Sequence, residues 1–279
     1  MNKGSCLCGT VQFQLLSEPE NMSHCHCSIC RKIHGTPFAT YVQTSGVKWL
    51  AGEDNISTFQ SSENFHRCFC KTCGSVLPET IDGADYTFVP AGTLEGKVNA
   101  RPEKHIFATS KAEWYQITDK LPQFEGYSAE HNEGIDQENR AGQKEGVVSG
   151  SCQCGDVAYQ YPAGSAKMMM WCHCSRCRKV KGAAHATNVF VTPDDFTWVR
   201  GEDKLVIYNH EGAVRFGNSF CQRCGSSMPR LAVGAPAFNI PAGGLDDAPG
   251  VDTKGHIFVG SKSDWFDIQD EYAQFEEMP

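Results

Sequence analysis

The chain is short of several things that would define it quickly. It has no apolar run near the roughly 20 residues that a membrane-spanning helix needs. Its first ten residues, "MNKGSCLCGT", contain no apolar signal-peptide core, which predicts a reducing, cytoplasmic setting. It has no lysine- or arginine-rich stretch, and its formal charge is −8, so it lacks the basic stripe that nucleic acid requires. Helix-favouring periodicity is also scarce. No partner of nucleic acid or membrane is expected.

Cysteine, by contrast, is abundant: 15 in 279 residues. A disulfide framework is disfavoured by the odd count, the absent export signal and a chain too long to need staples. Metal binding is the better account.

The chain also repeats itself. "GSCLCGTVQFQ" at Gly4 pairs with "GSCQCGDVAYQ" at Gly150, and "CHCSICRKIHG" at Cys25 with "CHCSRCRKVKG" at Cys172. "FCKTCGSVLP" at Phe69 pairs with "FCQRCGSSMP" at Phe220, and "HIFATSKAEWYQI" at His105 with "HIFVGSKSDWFDI" at His256. A repeat this long is a duplicated domain. Domains are expected at 1–125 and 149–279, joined by a polar linker at 126–148. Alternating stretches such as "TVQFQLL", "PFATYVQ" and "ATNVFVT" predict mainly β domains. Ser110 with Glu113 forms a possible capping box, so one short helical turn is expected there.

Spacing sorts the cysteines. Each copy offers Cys-x-Cys, then Cys-x-Cys-x-x-Cys, then Cys-x-x-Cys. The two flanking pairs can make a closed four-thiolate site: Cys6, Cys8, Cys70 and Cys73 in the first copy, and Cys152, Cys154, Cys221 and Cys224 in the second. The glycine after each pair (Gly9, Gly74, Gly155, Gly225) suits a knuckle whose N–H groups point at sulfur. That leaves two triplets, Cys25, Cys27, Cys30 and Cys172, Cys174, Cys177. Three ligands with an open position is the arrangement of a catalytic zinc; a histidine fourth ligand would close the site instead. His26 and His173 lie between triplet cysteines, but in extended chain they point away from a metal held by their neighbours. Cys68 has no counterpart and is set aside as a packed or free thiol. The pairs Trp49/Trp198 and Trp114/Trp265 and the Met168–Met170 run read as packing.

Taken together, these motifs resemble the glutathione-dependent formaldehyde-activating enzyme family, which includes centromere protein V. The resemblance covers nearly all of both copies. It implies two tandem β-tent zinc domains, each with a structural four-cysteine zinc and a second zinc on the triplet, so up to four Zn²⁺ per chain. It also implies carbon–sulfur lyase chemistry on a glutathione adduct such as S-(hydroxymethyl)glutathione, with glutathione as co-substrate. The second copy departs from the pattern: Gly182-Ala183-Ala184 replaces Gly35-Thr36-Pro37, and His185 replaces Phe38. Arg31, Lys32, Arg178 and Lys179 are candidates for the peptide's carboxylates, or ordinary surface charge. His105 and His256 are candidate acid/base groups, or plain structure. The competing expectation is a non-catalytic zinc scaffold that binds a protein or small molecule. The two copies are also expected to be able to pack as an intramolecular pseudo-dimer.

Overall fold

The structure is a computed structural model and describes residues 2–128 and 145–279. Most of the expected linker therefore lies outside the described residues. The chain is mainly β, with two α-helices among the described residues.

In the first copy, Lys3–Ser5, Gln12–Leu15 and Val47–Ala51 form an antiparallel three-stranded sheet. Phe13 and Leu15 alternate inward from it and are fully buried. A second sheet has seven strands, in the order Lys104–Ile106, Glu20–Cys25, Ala39–Thr44, Thr87–Pro90, Val76–Ile81, Phe65–Cys70 and Ile56–Ser62. Its first pair is parallel, which brings His105 beside His24.

The second copy repeats the small sheet with Val147–Ser151, Ala158–Pro162 and Thr197–Arg200. Its larger sheet is split. Five strands centre on Met168–Cys172, and three others gather at Leu205–Asn209, Gly217–Cys221 and Ser227–Met228. The split falls where the first copy pairs Glu79 with Phe88 and Thr80 with Thr87. In the second copy only the Arg230–Asn239 bridge joins those segments.

The helices are α1 (Ser28–His34) and α2 (Ser175–Lys181). Each begins inside a triplet, where the Cys27 or Cys174 thiol accepts the N–H of Cys30 or Cys177 and so caps the helix. Each ends at a left-handed glycine, Gly35 or Gly182. The helical turn expected after Ser110 does not form. Ser110 instead ends a 3₁₀ turn, Ala108–Ser110, and Lys111, where the first helical residue would stand, is extended with ψ 153°.

Contacts between the copies are intimate. Helix α1 packs on the Ala242–Gly244 turn, and α2 on the equivalent Ala91–Thr93 turn. A Cβ on Gly243 would lie 2.4 Å from backbone atoms of Arg31 and Thr36, and one on Gly92 would lie 2.4 Å from the Ala183 nitrogen. The Pro-Ala-Gly repeat is thus explained by close backbone approach across the copies. One hydrophobic cluster includes Phe13, Val42 and Leu77 of the first copy together with Trp171, Ala184 and Trp265 of the second. Met169 and Met170 are buried as expected, whereas Met168 is exposed.

Candidate metal centres and the walls around them

The cysteines gather in four groups, and in each group the sulfurs lie within 4.8 Å of one another. Two groups have four members: Cys6, Cys8, Cys70, Cys73 and Cys152, Cys154, Cys221, Cys224. Each draws its members from the turn after the first strand and from a knuckle more than 60 residues later. Neighbouring sulfurs are 3.4 Å apart for Cys6–Cys8 and 3.7 Å for Cys8–Cys70, with the same values in the second copy. A tetrahedron of sulfurs at the usual zinc–thiolate distance has edges of about 3.8 Å. The thiols therefore fit a soft divalent ion.

The knuckle glycines have positive φ, from 69° at Gly74 to 78° at Gly9. Their N–H groups do not point at sulfur as expected. Gly9 and Gly74 donate to the carbonyls of Cys6 and Cys70, which closes the turns. The sulfur is reached from further along the chain: Val11 N–H donates to Cys6 at 3.3 Å and Val157 N–H to Cys152 at 3.2 Å. Asn55 adds an amide N–H to Cys70 at 3.2 Å.

The other two groups are the triplets, Cys25, Cys27, Cys30 and Cys172, Cys174, Cys177. The Cys25 and Cys27 sulfurs are 3.6 Å apart. Hydrogen bonds from the two flanking thiols hold Cys27 well below the ordinary thiol range and Cys174 down to about 3.

The triplet histidines do not join these groups. Because strand side chains alternate, His26 and His173 turn to the opposite face. There His105 uses Nε2–H to donate to the Asp119 carboxylate at 2.9 Å. Its Nδ1 is then the acceptor, and His26 Nε2–H donates to it at 2.8 Å. The second copy repeats the chain as His173, His256 and Asp270. Burial pushes His26 well below the usual imidazole range and His173 down to about 3. Asp119 and Asp270 went unnoticed in the sequence, although both stand 14 residues after their histidines.

The basic residues after the triplets have partners in the fold. Lys32 is buried; its ammonium donates to the Ser151 carbonyl and hydroxyl and pairs with Asp246 at 2.5 Å, all in the second copy. Arg31 is buried on the same helix. Arg178 donates to the His173 and Ser261 carbonyls and to the Ser263 hydroxyl. Lys179 pairs with Glu95 of the first copy at 2.7 Å, partly exposed.

A different cation stands at the first triplet. Arg67 is buried, with one terminal nitrogen 3.5 Å from the Cys30 sulfur. Its other terminal nitrogen donates to Glu79 at 2.6 Å and to the Tyr41 hydroxyl at 2.8 Å. The Lys181 carbonyl can only accept, so His34 Nδ1 donates to it at 2.5 Å. Burial pulls His34 down to about 4, leaving it neutral. Its free Nε2 then accepts from the Tyr41 hydroxyl at 2.7 Å. This network bounds a cavity of about 40 Å³, lined by the three thiols, Tyr41, Arg67 and an apolar wall of Ile29, Phe65, Phe88, Ile106, Phe107 and Tyr127. None of the four basic residues after the triplets lines it. Arg67 could have been suspected only from its absence in the second copy, where Asn218 takes its place.

Two kinds of thiol cluster, one of four sulfurs and one of three, each carried twice on mainly β scaffolds, define a protein whose cysteine sites are built to hold metal. The sequence narrows this further. The model of the glutathione-dependent formaldehyde-activating enzyme family matches residues 1–110 and 147–261, and the chain belongs to that family as two tandem copies. It is 27% identical over 123 residues to a Schizosaccharomyces pombe protein named "Uncharacterized lyase", covering 44% of this chain and 89% of that one. It is 30% identical over 129 residues to a Halomonas elongata protein named "Putative glutathione-dependent formaldehyde-activating enzyme", covering 44% of this chain and 82% of that one. A Rhodobacter sphaeroides protein of known crystal structure aligns at 26% identity over 34% of this chain and 88% of its own, with a TM-score of 0.28. No helix among the described residues is long and apolar enough to cross a membrane.

Proposed function

We propose that the chain is a zinc-dependent carbon–sulfur lyase that joins glutathione, or a similar thiol, to formaldehyde and releases it again, with the first triplet as the reactive site. The four-cysteine groups hold structural zinc, and the triplets hold a second zinc in each copy. The reaction balances without a redox partner. The thiol sulfur adds to the carbonyl carbon, the C=O π pair moves to oxygen, and the thiol proton ends on that oxygen as S-(hydroxymethyl)glutathione forms. Zinc held by the three thiolates would be a mild Lewis acid whose open position suits a soft ligand and favours a substrate thiolate over its thiol.

The observation that carries this reading is the small cavity beside the first triplet. At about 40 Å³ the cavity is far below the roughly 300–1,000 Å³ of a drug-sized ligand site, so it suits a one-carbon carbonyl and leaves the peptide part of the thiol outside. Phe65, Phe88 and Phe107 give that space an apolar wall. Arg67 holds a fixed positive charge where the carbonyl oxygen gains negative charge, and Glu79 and Tyr41 keep the guanidinium from turning away.

The test is adduct formation from ¹³C-formaldehyde and glutathione on the zinc-loaded protein, followed by NMR. Cys27→Ser should abolish it. Unchanged turnover in that variant would overturn the assignment. Cobalt substitution separates the alternative of a non-catalytic scaffold: a thiolate charge-transfer spectrum that ignores saturating glutathione would favour the scaffold. The cross-copy contacts of α1 and α2 support a further part of the reading, that the copies work as an intramolecular pseudo-dimer.

A further inference from the structure

A second cavity, lined by both copies, plays no part in the chemistry above. It measures about 580 Å³ and shares no lining residue with the small cavity at the first triplet. Its size falls in the range of small-molecule sites. The first copy lines it with Trp114, Tyr115 and Asp119, among others, and the second with Trp171, Phe266 and Asp270. It exists only where two copies meet.

The lining has a definite chemical character. Six aromatic rings face it: Phe38, Trp114, Tyr115, Trp171, Phe266 and Tyr272. Four carboxylates line it as well, Asp119, Asp267, Asp270 and Glu271, whereas no lysine or arginine does. Burial holds its one histidine, His24, well below the usual imidazole range, so it is neutral. The negative field converges inside: burial and then the charges of both Asp119 and Asp270 push the Tyr115 hydroxyl upward. Trp171 is only 5% exposed, and its indole N–H has no hydrogen-bond partner among the described residues. Gln116, Thr118 and Gln269 add polar side chains to the same lining.

Aromatic faces attract cations through their quadrupole, and carboxylates reinforce the attraction. We propose that this inter-copy cavity binds a small organic cation, an alkylated ammonium that also carries a hydrogen-bond acceptor. The acceptor would meet the amide and hydroxyl groups of the wall, while the ammonium lies among the rings and acids. The second copy supplies most of the acidity. Asp267 and Glu271 stand where the first copy has Gln116 and Lys120, so the cavity is not symmetric. The site does not depend on the lyase reading, because it uses none of the thiols.

The experiment is calorimetric titration of the full chain with choline and, separately, with its uncharged isostere 3,3-dimethylbutan-1-ol. Choline is expected to bind at least about tenfold more tightly. Asp267 and Glu271 are exposed, so the double variant Asp267→Lys, Glu271→Lys should fold. It should weaken choline binding by about tenfold or more and leave the isostere unchanged. Tryptophan fluorescence from Trp114 and Trp171 should respond to choline in the parent protein. Equal affinity for the two compounds, no response to choline, or choline binding indifferent to the double variant would each overturn the proposal.

Discussion

The two triplets carry the same three thiols on the same strand–helix corner, yet the walls around them have diverged. Beside Cys30 the first copy has Arg67, Glu79, Tyr41 and His34 in one hydrogen-bonded network. The second copy has Asn218, Arg230, Asn188 and Lys181 at those places. Its buried cation is Lys181, which donates to Asn218 at 3.1 Å and is pulled down to about 8 by burial. Where Phe88 closes the first site, the second has Asn239. Cys174 is partly exposed, whereas Cys27 is buried. The thiol geometry, which local backbone enforces, is common to both copies, while the surrounding chemistry differs. On the proposed function, the first triplet is the reactive site and the second mainly holds structure.

The sharpest break would come from the thiols themselves. Cys27→Ser and Cys174→Ser should each release about one zinc equivalent, seen by metal analysis, but only Cys27→Ser should stop adduct formation. Loss of turnover in Cys174→Ser alone would reverse the ranking of the sites.

Next is the wall. Arg67→Leu leaves Glu79 buried without its cation and should cost about 3–5 kcal/mol in urea unfolding. Asn218→Ala removes a neutral hydrogen bond to the Cys73 carbonyl and the bond from the Lys181 ammonium, and should cost about 1–3 kcal/mol.

The cross-copy lysines offer a comparison at equal sequence. Lys32→Met breaks a pair whose side chains are 4% and 2% exposed, and should also cost about 3–5 kcal/mol. Lys179→Met breaks one at 26% and 49% exposure and should stay within about 0.5 kcal/mol. The Pro-Ala-Gly turns should behave alike instead. Gly92→Ala and Gly243→Ala each press a Cβ against backbone, and each should cost about 1–3 kcal/mol by thermal unfolding.

The smallest effect is expected at Cys68. Burial pushes its thiol up to about 11; it packs against the edge of the first core cluster, and its side-chain hydrogen bond is with Thr58. Cys68→Ser should leave metal content unchanged and stability within about 0.5 kcal/mol.

Much of this was legible in the sequence. Cysteine spacing divides the thiols into the four sets that the structure gathers, because Cys-x-Cys and Cys-x-x-Cys place sulfurs within one turn whatever surrounds them. That His26 and His173 face away from the triplet sulfurs follows from alternation in extended chain, and both rings end up buried. The helices were missed because a cysteine serves as each N-cap, outside the usual Ser, Thr, Asp and Asn; Gly35 and Gly182 were the readable half of that signal. The role of Lys32 was hidden for another reason. Its neighbours in the chain say nothing about Ser151 and Asp246, more than a hundred residues away.

The sequence by itself thus determined a duplicated, mainly β, cysteine-clustered protein and the short pairs and triplet in each copy, since these rest on short-range spacing and on repetition. Only the tertiary structure decided that Arg67 stands at one triplet, that Asp119 and Asp270 end the histidine chains, and that an aromatic and acidic cavity opens between the copies. Those features depend on which distant side chains meet in a low-dielectric interior, where one buried charge or ring changes a site's chemistry without altering its motif.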